Sequence, residues 1–249
     1  MRDNDFESKG FTLIRPLKVR IYAIGEGRRG EMFDYGWIVN ARTHKRVWEM
    51  DYRGTVHAGG SQKNRMVDQV IDLEKGNYLA YYITDDSHSY RDWNTSPPFD
   101  PEHWGLTIYA AEDNFKSSDV KDYQEEGDPS ILAKITEVRD DQYKSFEFNL
   151  DKDSEVRIYA LGEGLHGDMY DYGWIEDAAS GKIVWEMRYR NTERAGGARK
   201  NRMVDETVLL KEGKYKVFYE TDDSHAFKDW NDAPPRDPVN WGITVYLVK

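Results

Sequence analysis

The chain has 249 residues, 39% hydrophobic and 33% charged, with a formal net charge of −11 and no Cys. This is long enough for two ordinary cores and compatible with a folded chain. It excludes a disulfide framework, Cys-ligated zinc and a thiol nucleophile, and the acid excess argues against nucleic acid as a partner. No apolar run reaches the roughly 20 residues of a membrane helix, no signal-peptide pattern opens the chain, and membrane insertion is not expected.

In chain order, the first informative stretch is Val19–Gly27, VRIYAIGEG, which returns at 156–164 as VRIYALGEG. The 137-residue offset holds without a gap from Arg20/Arg157 to Ala111/Val248. So long a period implies whole domains rather than solenoid turns. Residues 1–111 are read as the first domain, the polar stretch 112–129 as a linker, and 130–249 as the second domain. In the second, alternation of apolar and polar residues predicts strands near 131–138, 145–150, 156–162, 172–178, 182–189, 202–210, 214–221 and 241–248. Gly181-Lys182 and Gly213-Lys214 mark turns. Seven or eight short strands per domain predict an all-β chain of two tandem antiparallel β-sandwiches, jelly-roll-like. The first domain has no counterpart of Ile131–Val138, which would fall ahead of residue 2, so the chain is expected to be part of a larger protein.

Connections in an antiparallel sandwich alternate between its two ends. One end then gathers GEG, AGG and the long loop TDDSHSYRDWNTSPPFDPEHWG (84–105), repeated as TDDSHAFKDWNDAPPRDPVNWG (221–242). Between the two domains 38 of 57 positions are identical at this end, against 8 of 25 at the other. Loops normally vary most; these have not.

The candidate ligand-binding residues lie there. They are Asp34, Tyr35, Arg53, Asp85, Asp86, His88, Trp93 and Asn94, with Asp171, Tyr172, Arg190, Asp222, Asp223, His225, Trp230 and Asn231. Aromatic faces beside carboxylates and amides suit a glycan, and Trp, Tyr and Arg equally suit a protein. Asp85, Asp86 and Asp92 (Asp222, Asp223 and Asp229) are oxygen donors of the kind Ca²⁺ takes, without EF-hand spacing. Two Asp could also act as acid and base in a hydrolase, with Asp86/Asp223 and His88/His225 as its residues. The remaining reading is a structural spacer in which these side chains brace the loops. On the outward face of the penultimate strand Leu79, Tyr81 and Ile83 replace Lys216, Phe218 and Glu220, and Val39 replaces Glu176. That face of the first domain is expected to be covered.

The strand order and Leu73-x-x-Gly76-x-Tyr78 (Leu210-x-x-Gly213-x-Tyr215) resemble the pre-peptidase C-terminal and GOLD-type β-sandwiches. The resemblance implies an accessory interaction module of a secreted or lumenal protein, with no catalytic role. The sequence therefore predicts a non-catalytic, extracytoplasmic (periplasmic or secreted) binding module for a glycan or a protein.

Overall fold

In the computed structural model, residues 1–123 and 129–248 are described. The chain divides into two compact units that part between residues 125 and 126. Among the described residues every extended element is a strand, and the only helices are three-residue 3₁₀ turns. Unit 1 contains β1 (Phe6–Leu13), β2 (Leu17–Arg28), β3 (Glu31–Met32), β4 (Tyr35–Asn40), β5 (Arg46–Glu49), β6 (Val56–His57), β7 (Asn64–Leu73), β8 (Gly76–Ile83), β9 (Gly105–Ala110) and β10 (Val120–Asp122). Unit 2 contains β11 (Ile131–Ile135), β12 (Tyr143–Leu150), β13 (Ser154–Leu165), β14 (Asp168–Met169), β15 (Tyr172–Asp177), β16 (Ile183–Glu186), β17 (Glu193–Arg194), β18 (Asn201–Leu210), β19 (Gly213–Glu220) and β20 (Gly242–Leu247).

Each unit is a sandwich of two antiparallel sheets. In unit 1 one sheet runs β10-β1-β8-β4-β5, and the other β3-β2-β7-β6 with β9 on the free side of β2. In unit 2 they run β12-β19-β15-β16 and β11-β20-β13-β18-β17, with β14 on β13. Registers correspond between units: β1 pairs β8 from Phe6↔Ile83 to Leu13↔Gly76, and β12 pairs β19 from Tyr143↔Glu220 to Leu150↔Gly213. Alternation aims one face of each strand inward. The core of unit 1 accordingly contains Leu13, Val19, Ile21, Ala23, Ile38, Val67 and Tyr78.

All the strands expected in the second domain are present. The stretch 112–129 is different. Val120–Asp122 pairs with Phe11–Leu13, and Arg15 binds Glu112 and Asp119, each at 2.9 Å. Residues up to 122 therefore extend unit 1 rather than link the units, because their acidic side chains find a cation and their backbone an open sheet edge. On the outward face of that sheet Trp37, Val39 and Tyr81 are buried, with Leu79 and Ile83 half-buried. Tyr123 lies over Gly10 there, where an added Cβ would come within 2.9 Å of its ring.

Candidate functional site

Three segments distant in sequence meet at one pole of each sandwich. The first is the end of β2, where Gly25 lies so close to the carbonyl of Asp34 that a Cβ would sit 2.0 Å from it. No side chain fits there, and Gly162 repeats the approach at 2.1 Å to Asp171. The second is the AGG turn: Gly60 has φ +64, and its missing Cβ would lie 1.9 Å from the carbonyl of Pro97. Glycine serves both the backbone angle and the approach. The third is the long loop, threaded through left-handed His88 (φ 64) and Arg91 (φ 72), matched by His225 and Lys228.

Buried polar side chains hold the segments together. Asp34, fully buried, accepts the Asp85 N–H at 2.9 Å and the Trp104 indole N–H at 3.0 Å. Asp171 does the same with Asp222 and Trp241. Asn64 donates through its amide nitrogen to Gly59 O (2.8 Å) and Ser96 O (3.0 Å). Its amide oxygen must then accept, so His88 Nε2, 2.6 Å away, carries the proton. Asn201 and His225 repeat this geometry at 2.6 Å. Burial pushes both imidazoles down to about 4, helped by the nearby Lys63 or Lys200 charge. They are neutral brackets, and each packs edge-on against two Trp rings, His88 against Trp93 and Trp104.

At the centre of the pole lies a carboxylate cluster. Oxygens of Glu26, Asp34 and Asp85 lie within 4.8 Å of one another, as do those of Glu163, Asp171 and Asp222. Lys63 Nζ stands 2.9 Å from Glu26 Oε1, and Lys200 Nζ stands 3.0 Å from Glu163 Oε1. The other oxygens, Glu26 Oε2 and Glu163 Oε2, are buried without a hydrogen-bond partner. Burial raises Glu26 and Asp85 above the usual carboxylate range. It pushes Asp34 and Asp171 up to about 8, with the neighbouring carboxylates adding to the effect. A buried carboxylate is paired, protonated or bound to a metal.

The fold sorts the predicted site residues into four groups. Asp34, His88, Asp171 and His225 are buried brackets and offer no surface to a glycan or a protein. Asp85, Trp93, Asp222 and Trp230 are half-buried at the pole. Arg53, Asp86 and Asn94, with Arg190, Asp223 and Asn231, are exposed; Asn231 accepts from Lys200 at 2.6 Å. Tyr35 and Tyr172 pack against Trp37 and Trp174 rather than joining the cluster. Of the expected cation ligands Asp85, Asp86 and Asp92, only Asp85 lies in the carboxylate cluster, whose other members are Glu26 and Asp34. Ser87 N–H bonds the Asp85 side chain and Asp92 N–H bonds Ser89 O, folding Asp86 and Asp92 outward; Asp223 and Asp229 are likewise exposed. Glu26 and Glu163 were missed, although Glu stands between the two glycines in both domains.

No protein-family model and no curated protein matches the sequence. Among solved structures, the chain is similar to the CUB1-EGF-CUB2 region of human MASP-1/3, at 8% identity and TM-score 0.28, covering 99% of this chain and 94% of that one. It is also similar to the stem and receptor binding domain of the spike protein P1 from bacteriophage PM2, at 9% identity and TM-score 0.22, covering 99% and 97%. Neither is a pre-peptidase C-terminal or GOLD-type domain, and at these scores neither informs the function of this chain.

Proposed function

We propose that each unit is a non-catalytic binding module whose loop pole takes a divalent cation, Ca²⁺ by its donor chemistry, and presents the surrounding rim to a protein partner. The two units are read as copies of one module, and an extracytoplasmic setting, where Ca²⁺ is abundant, suits them. One observation carries the reading: each pole buries a Glu oxygen without a donor, beside two Asp and one Lys. Once Asp34 gives up the proton that burial holds on it, three carboxylates against one ammonium leave two negative charges uncompensated (3 − 1 = 2), the complement of a divalent ion. Oxygen donors without imidazole or thiolate fit a hard cation. The enclosed, neutral His88 and His225 support bracing rather than proton transfer. A protein is favoured over a glycan because the shared Trp rings pack into one another at 5.0 Å instead of offering a flat face. The exposed residues kept in both units, Arg53/Arg190, Asp86/Asp223 and Asn94/Asn231, suit a polar interface rim.

Calorimetric titration with CaCl₂ tests the cation. The expectation is two sites per chain with dissociation constants in the range of about 10⁻⁴–10⁻³ M typical of extracellular modules. The Glu26→Gln, Glu163→Gln double variant should lose both. Absence of saturable binding to the wild type at 10-fold higher Ca²⁺ would overturn the cation reading.

A further inference from the structure

A fourth segment joins each pole. Arg2-Asp3 and Arg139-Asp140 are identical at the same 137-residue offset as the rest of the repeat. Each pair opens a tight turn that leads into β1 or β12. In unit 2 the turn is fastened to the start of the long loop. Thr221 Oγ1 accepts the Gln142 N–H at 2.9 Å and donates to Arg139 O at 2.6 Å. Asp141 N–H bonds Asp222 O at 2.7 Å. Unit 1 repeats the set: Thr84 Oγ1 accepts the Asp5 N–H at 2.9 Å and donates to Arg2 O at 2.5 Å. There Asn4 N–H bonds Asp85 O at 2.7 Å. Asn4 and Asp141 both take a left-handed backbone, φ 55, which Asn and Asp tolerate better than other side chains.

This turn brings a further carboxylate to the cluster. Asp3 and Asp140 are half-buried. Asp3 Oδ1 is buried without a hydrogen-bond partner, and Asp140 Oδ1 accepts the Ala226 N–H at 3.0 Å. Burial is the main cause that lifts Glu26, Asp85 and Glu163 above the usual carboxylate range, and the charge of Asp3 adds to it at Glu26 and Asp85, that of Asp140 at Glu163. The cluster alone also falls short of a full coordination shell. Ca²⁺ takes about 6–8 oxygen ligands. Asp171 spends one oxygen on the Asp222 N–H and the other on the Trp241 indole. Asp222 Oδ1 accepts the Ser224 N–H at 3.1 Å, and Glu163 Oε1 faces Lys200. Within the cluster this leaves Asp222 Oδ2 and Glu163 Oε2 without a donor, the latter on a side chain only 6% exposed.

We propose that Asp3 and Asp140 are the fourth carboxylate ligands of the two cation sites, each brought to Asp85 or Asp222 by the turn ahead of the first strand. The assignment rests on the cation reading of the pole and adds to it the residue that completes the shell. It also gives the shared Arg-Asp pair a purpose, since the strands that follow it, Phe6–Leu13 and Tyr143–Leu150, have changed far more between the units. The Thr84 and Thr221 hydroxyls hold the turn in place, so the fourth ligand is positioned before an ion arrives.

The test follows Tb³⁺, a Ca²⁺ surrogate whose luminescence is excited by a neighbouring indole. Trp104 and Trp241 are in place to excite it, each donating to an Asp34 or Asp171 oxygen at 3.0 Å. The full chain carrying Glu26→Gln, which leaves unit 2 as the reporting site, is titrated with TbCl₃ and then displaced with CaCl₂. Adding Asp140→Asn, which keeps an oxygen for the Ala226 N–H, should weaken both ions about tenfold or more. Unit 1 is read in the Glu163→Gln background with Asp3→Ala, where Asp3 Oδ1 has no hydrogen bond to lose. Luminescence lifetimes in H₂O and D₂O count the waters on the ion, and this variant should gain about one, water taking the place of the lost oxygen; a carboxylate acting only through its field would add none. Unchanged affinity together with an unchanged water count would overturn the assignment while leaving the cation reading intact. A wild-type chain that neither sensitises Tb³⁺ nor takes up Ca²⁺ would instead remove the cation reading, and the assignment with it.

Discussion

Asn64→Ala is the sharpest test of the pole's construction. One side chain serves three groups: the carbonyls of Gly59 and Ser96 and the Nε2–H of a fully buried imidazole. Truncation orphans the Gly59 carbonyl and the imidazole N–H, while Ser96 O keeps the Ser61 N–H at 3.1 Å, and it leaves a small void. Each orphaned buried group costs roughly 1–3 kcal/mol, so the variant should lose about 3–6 kcal/mol. A domain is typically stable by about 5–15 kcal/mol, which brings unit 1 near its folding limit. For a unit of this size 1 kcal/mol corresponds to roughly 3–5 °C; the melting transition of unit 1 should fall by about 10–20 °C. Scanning calorimetry of Asn64→Ala and of Asn201→Ala checks this, each variant identifying the transition of its own unit. A fall of less than about 3 °C would refute the bracket, because it would mean that water or a rotated histidine replaces the side chain with little loss.

In EDTA, Glu26→Gln should leave the protein as stable or more stable, since it removes like-charge repulsion in a buried site, while abolishing any Ca²⁺-dependent rise of the unit 1 transition; thermal shift with and without CaCl₂ reads both effects. The carboxyls of Asp34 and Asp171 titrate near 8 when folded and near 3.8 when unfolded, so the folded state holds protons that the unfolded state has lost, and their contribution fades as pH rises. His88 and His225 have the opposite sign, near 4 when folded against 6.5 when unfolded, so theirs fades as pH falls. The two oppose each other between pH 4 and 6.5, and from about 6.5 to 8 only the carboxyls act. Melting curves in EDTA should therefore decline over that upper window, and Ca²⁺ should flatten the decline; a rise there without the ion contradicts the raised carboxyls. Gly25→Ala, which drives a Cβ to 2.0 Å from Asp34 O, should cost about 3 kcal/mol or more, read as loss of the unit 1 transition in urea.

Strands were the most legible part of the sequence because one face of each is buried and alternation follows. The meeting of GEG, AGG and TDDSH at one pole was legible too, through antiparallel connectivity and the unequal drift of the two ends. What the polar residues do there was not. Asp34 and His88 have the composition of a surface site, yet both are fully buried; residue type does not disclose burial when a loop folds over its own side chains. Glu26 shows in the sequence only as the middle residue of GEG, and the approach of β2, β7 and the long loop is what brings it to Asp34 and Lys63. β10 escaped notice because three residues, Val120-Lys121-Asp122, are too few to carry a period. Its place is set by the free edge of β1 and by Arg15, more than a hundred positions earlier.

The bonds that fasten the pole also span long stretches of chain: Asp34 reaches Asp85 across 51 residues and Trp104 across 70. Closing such loops is entropically uphill until the contacts at their ends form. During refolding the β2–β7 and β4–β8 pairings can zip first, leaving the carboxylates solvated and ionised until the long loop comes down over them. The slow step is then expected to carry a proton or a cation with it, so that refolding, and not only stability, responds to pH and to Ca²⁺.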